Sequence, residues 1–102
     1  AGGKLELAND LLAMLLGSLD EEQQAIARAR ASNNAGDLAD RVHRLLGASR
    51  YCGVPQLREA CQRCENLLRR GDTHTGPALD QLDLAISRLQ RESLGRRIEI
   101  SV

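Results

Sequence analysis

Apolar residues recur along most of this chain at steps of three and four, the spacing that places them on one face of an α-helix. Ala8, Leu12, Leu15, Leu19 and Ile26 trace the first such stripe, widened by Leu11 and Leu16, and predict a long helix over residues 5–30. Gly17 interrupts it, and Ser18 with Glu21 has capping-box spacing that would suit a new helix start. One continuous helix with a weak point at Gly17 is the preferred reading. Ser32-Asn33-Asn34 is a stop signal. A second stripe, Leu38, Val42, Leu45, Ser49 and Cys52, predicts a helix that begins near Gly36 and Asp37, with Asn34 or Asp37 near its cap, and ends at Gly53. Leu57, Cys61, Cys64 and Leu68 form the seam of a third helix over 54–70, with Pro55 in its first turn and Gly71-Asp72 at its end. After a short polar loop, Leu79, Leu82, Ile86 and Leu89 carry a fourth helix over 77–93.

Four amphipathic helices joined by short connections predict an all-α, antiparallel, up-down-up-down four-helix bundle over residues 5–93. Residues 1–4, with Gly2-Gly3, read as a linker. The tail over 94–102 breaks the pattern, because Ile98, Glu99, Ile100, Ser101 and Val102 alternate with a strand period. A single strand has no partner in a helical monomer, so the tail is expected to be frayed or extended and free to contact another chain.

Composition narrows the core. Eighteen leucines, two prolines, one Tyr and no Phe or Trp make it aliphatic, and 102 residues hold one domain with no space for a second catalytic module. A core without a large unpaired apolar face favours a monomer. The formal net charge of zero argues against a nucleic-acid binder held by bulk charge. Charge is nevertheless uneven, since residues 41–70 hold seven arginines against Glu59 and Glu65. That basic region suits an anionic partner or a phosphoryl group. Three cysteines are unlike a secreted disulfide framework and fit a reducing cytoplasm. No stretch has the length of a membrane span or the pattern of a secretory signal, so no direct membrane contact is expected. A start at Ala1-Gly2-Gly3 without Met suggests a piece of a longer protein.

His43 stands apart from the stripe of its helix, about 100° round from Val42, which points it sideways towards solvent. Asp40, Leu46, Gly47 and Arg50 share its face. Gly47 is unusual there, because a glycine inside a helix costs roughly 1 kcal/mol against alanine. One turn beyond the imidazole, it clears space for something bulky to approach. An accessible nucleophilic histidine and a plain surface histidine beside a tolerated glycine are both compatible with this spacing.

The spelling goes further. His-x-Leu-x-Gly-Ala-Ser-x-x-x-Gly from His43 to Gly53, followed by Leu57, Cys61 and Glu65, resembles the signature of histidine-containing phosphotransfer (HPt) domains. The run through Val54 and Pro55 looks most like the module at the carboxy end of hybrid sensor kinases of the BarA/GacS type, and the resemblance extends back to Leu7 and forward to about Arg91. It implies a phosphorelay intermediate in two-component signalling, in which His43 takes a phosphoryl group from an aspartate on a receiver domain and passes it to a response regulator. The implied partners are the receiver domain of the parent kinase and that regulator, at the cytoplasmic end of an inner-membrane sensor. No cofactor is implied on this domain, and Mg2+ belongs to the receiver.

The chemistry asks little of the chain. An imidazole with a reference pKa of about 6.5 is a competent nucleophile near neutrality, helped when one ring nitrogen is held so that the other presents its lone pair. Glu65 is the candidate to orient it, as HPt domains commonly carry Glu or Gln at this spacing. Many family members have a lysine three residues after the histidine, where this chain has Leu46. Phosphoryl charge would then fall to Arg50, two turns along the same face, with Arg44 flanking, and Leu46 would join an apolar rim against which a receiver docks. No glycine-rich nucleotide-binding element is present, so His43 is not loaded from ATP by this chain. Two alternatives compete: a helical adaptor that binds receivers without phosphotransfer, and a small zinc-binding domain using Cys52, Cys61, Cys64 and His74. The cysteines coincide with core seam positions, which favours a packing role and no metal site.

Overall fold

A computed structural model of the chain describes residues 2–52, 54–72 and 74–100, the side chains of 2–9 and 94–100 excepted. Four helices follow one another: α1 (Gly2–Ala31), α2 (Ala35–Tyr51), α3 (Pro55–Arg69) and α4 (Gly76–Ile100). There is no strand among the described residues. Each helix packs on its neighbour in sequence, and α1 packs on α4 to close the ring. Short connections force successive helices to run antiparallel, as the stripes require.

The breaks between helices have local causes. At the start of α2, the Asn34 side chain accepts from the Asp37 backbone N–H at 3.1 Å, so Asn34 is the cap. Just before it, Asn33 takes the left-handed conformation at φ 56°, which turns the chain out of α1. Pro55 opens α3 at its first position, where the missing N–H costs nothing. Gly71, at φ 67°, ends α3 by the glycine stop expected there. Gly53, the expected end of α2, lies outside the described residues; the cap is Cys52, whose N–H donates to the Ser49 carbonyl.

The core joins Leu15, Leu19, Ile26 and Ala29 of α1, Leu38, Val42, Leu45 and Leu46 of α2, Leu57, Cys61 and Cys64 of α3, and Leu79, Leu82 and Ile86 of α4. Nearly all lie on the predicted stripes, while Leu16, Cys52, Leu68 and Leu89 pack around them half-buried. The continuous α1 passes through Gly17 without a break. A Cβ there would meet nothing within 4 Å, so that glycine serves no close approach.

Two expectations are corrected at the chain ends. Residues 2–4 are not a linker but the first residues of α1, and α4 continues to Ile100 instead of giving way to an extended tail after residue 93. The reason is the same at both ends. An existing helix adds residues at little cost, whereas an isolated strand leaves its backbone groups without partners. Ser101 and Val102 lie outside the described residues.

Candidate functional site

His43 is carried at the middle of α2, on the side of the helix that adjoins α3. Its ring donates from Nδ1 to Glu65 Oε1 at 2.7 Å, across the seam between the two helices. The two side chains differ sharply in environment: His43 is 63% exposed and Glu65 only 5%. An ionised carboxylate only accepts, so the hydrogen sits on Nδ1 and the lone pair on Nε2. The arrangement therefore fixes the tautomer and the ring plane and leaves Nε2 on the open side.

Glu65 reaches this place because α3 turns its Cys61/Cys64 edge inwards. One residue past Cys64, the Glu65 carboxylate lies at the margin of the core, where an unpaired charge would be costly. It is paired twice, since Arg69 Nη2 also binds Oε1 from one turn along α3. Sequence reasoning paired His43 with Glu65, which the structure brings together, and did not include Arg69. The signal was present in the four-residue spacing of Glu65 and Arg69, an ordinary helical ion pair that only the burial of Glu65 makes important.

The remaining predicted residues divide. Gly47 lies one turn beyond His43, half-buried, and a Cβ added to it would meet nothing within 4 Å. Within this chain a side chain would fit, so any demand for glycine comes from outside it. Arg50 is exposed and donates from Nη2 to Gln62 Oε1 of α3 at 3.4 Å, while Arg44 is exposed beside His43. Leu46 is a correction. It is 1% exposed and belongs to the core, so it cannot form an apolar rim for a docking partner. Placed four residues after Val42, it lies on the flank of the buried stripe, within the core cluster.

The cysteines sit as core residues. Burial is the main cause that pushes the Cys61 thiol up to about 12 and the Cys64 thiol up to about 11, which keeps both protonated. Cys64 Sγ–H donates to the Ala78 carbonyl of α4 at 3.1 Å. His74 lies in the loop after α3, where its backbone N–H donates to Asp72 Oδ1 at 2.7 Å. Among the described residues, no group of three or more His, Cys, Asp or Glu could hold a metal ion.

The chain matches a known family: the Hpt domain pattern covers residues 10–92. The chain belongs to the Hpt domain family. It is 59% identical over 93 residues to the sensor histidine kinase GacS of Pseudomonas protegens, covering 91% of this chain and 10% of that protein. Over 71 residues it is 39% identical to the signal transduction histidine-protein kinase BarA of Escherichia coli, covering 70% of this chain and 8% of that one. The crystal structure of an HPT domain from a Shewanella sensor hybrid histidine kinase superposes with a TM-score of 0.84 at 31% identity, over all of this chain and 87% of the other. This Hpt domain thus spans about a tenth of the length of the curated relatives it matches. No helix among the described residues is long and apolar enough to cross a membrane.

Proposed function

We propose that His43 Nε2 is the phosphoacceptor of a phosphorelay, receiving the group from an aspartyl phosphate on the receiver domain of a parent hybrid kinase and passing it to a cognate response regulator. The observation that carries this is the bond from Nδ1 to Glu65, which holds an otherwise exposed ring with its second nitrogen outward. Phosphoryl transfer is mostly positioning and charge stabilisation. This domain supplies a pre-oriented nucleophile, open space above Gly47 for the partner to come close, and positive charge from arginines of α2 and α3. Mg2+ and the acidic pocket belong to the receiver. The domain acts as a monomer at the cytoplasmic end of an inner-membrane sensor.

The test is to mix the purified domain with a phosphorylated receiver domain and Mg2+, then look for label on this chain that is lost in acid and survives base. The label is expected on the parent chain and absent from His43→Gln, whose stability should stay within about 0.5 kcal/mol of the parent because the glutamine amide keeps an N–H donor for Glu65. A folded parent chain that takes no label from several receivers would instead be a receiver-binding adaptor.

A further inference from the structure

Two groups converge on one buried oxygen. Glu65 Oε1 accepts from His43 Nδ1 and carries the ion pair with Arg69 Nη2. Each lies within hydrogen-bond distance of the same atom, so the guanidinium and the imidazole stand no more than about 6 Å apart. Arg50 is less well placed, since it follows His43 by two turns, about 10 Å along the helix, and is engaged with Gln62, while Arg44 lies about 100° round the helix from His43. Leu46 offers only buried hydrocarbon. Arg69 has 68% of its side chain in solvent and is free to swing without disturbing the core.

We propose that Arg69 is the phosphoryl-binding cation of this domain, resting on Glu65 while His43 is unmodified and turning to the phosphoryl group once Nε2 carries it. The inference rests on His43 as the phosphoacceptor. Transfer breaks the P–O bond of the aspartyl phosphate, forms the P–Nε2 bond, and leaves the donor carboxylate as an anion. No proton moves. Nδ1 keeps its hydrogen, so the formerly neutral ring becomes a cation, and the attached phosphoryl group carries up to two negative charges. Glu65 then faces a ring cation across the bond it already makes, and Arg69 faces a new anion that suits its forked donors. Onward transfer restores the neutral ring and returns Arg69 to Glu65. In both states the buried carboxylate has a cation beside it, which an unpaired charge at that depth requires.

The test uses the whole chain carrying Arg69→Ala or Arg69→Lys, equilibrated with a phosphorylated receiver domain and Mg2+. It reads the ratio of label on His43 to label on the receiver, and the phosphorus chemical shift of the phosphohistidine. Arg69→Ala is expected to lower the ratio about tenfold, the scale of one charge-assisted hydrogen bond, and to move the phosphorus resonance, while Arg69→Lys recovers most of both. Should Arg69→Ala fail to fold, Arg69→Gln, which keeps a donor for Glu65 but no charge, carries the same expectation. An unchanged ratio and resonance in a folded, uncharged variant would overturn the proposal and leave Arg69 a surface partner of Glu65. A parent chain that takes no label would mark failure of the phosphoacceptor reading itself, visible before any Arg69 variant is made.

Discussion

Two seams of this bundle, α2–α3 and α1–α4, are both crossed by polar side chains, yet they are built on opposite terms. Between α2 and α3, exposed His43 and Arg69 meet the buried carboxylate of Glu65. Between α1 and α4, Arg30 meets Asp80 at 2.8 Å, and Gln23 donates to Asp83 at 2.8 Å and to Ser87 at 3.1 Å. Arg30, Asp80 and Asp83 are exposed and Gln23 and Ser87 half-buried, beside a groove of about 400 Å³ floored by Ile26, Leu79 and Leu82. Water and salt screen such contacts, so breaking one costs little. A carboxylate withdrawn from water has no such substitute and must keep its partners. The contrast explains why a single exposed histidine can be held in one orientation: its anchor, not the histidine, is what the fold commits.

The largest effect that sharpens this contrast is at Leu46. Leu46→Ala should destabilise the domain by about 2–5 kcal/mol in denaturant unfolding, because it empties a core position beneath the site. A loss within the range of exposed substitutions would return Leu46 to the docking role and break the account of the α2–α3 seam. Next is alkaline pH. The folded pKa values of Cys61 and Cys64, about 12 and about 11, lie above the ordinary 9.0. Their contribution is complete below pH 9, where folded and unfolded chains both hold the proton, and is lost as pH rises towards 12 because the unfolded chain sheds it first. Melting temperature should therefore fall over that window, and Cys61→Ala should flatten the fall; an unaltered slope would mean that the thiol does not sense its burial.

Smaller effects test the two surfaces. Gly47→Ala should stabilise the helix by about 1 kcal/mol, since its Cβ meets open space, while slowing transfer from a receiver. Transfer at the parent rate would show that the partner leaves room there. Smallest should be the α1–α4 pair: a double-mutant cycle on Arg30 and Asp80 is expected to give under about 1 kcal/mol, declining with added salt. A larger, salt-insensitive coupling would erase the distinction between the seams.

Much of this was legible in order. The stops at Asn33 and Gly71 and Pro55 at the head of α3 act within a few residues, so local chemistry identifies them, whereas the cap of α2 was narrowed to Asn34 or Asp37 and the structure puts it at Asn34. Helical periodicity likewise put Val42 and Leu45 inside and His43 beside them. The chain ends went the other way, because the alternation of Ile98, Glu99 and Ile100 is a strand signal only if a partner strand exists, and α4 continues through those residues.

What the amino-acid order determined by itself was the direction each helix faces and the residue that stands off its stripe. Tertiary structure decided how wide each buried stripe is. Leu46 and Glu65 lie on stripe edges, where a rotation of a few tens of degrees separates core from solvent, and only the approach of the neighbouring helix settles it. That approach converts an ordinary surface glutamate spacing into a buried anchor. It also gives Arg69, one turn along α3, a place beside a histidine on another helix that no pattern within α3 specifies.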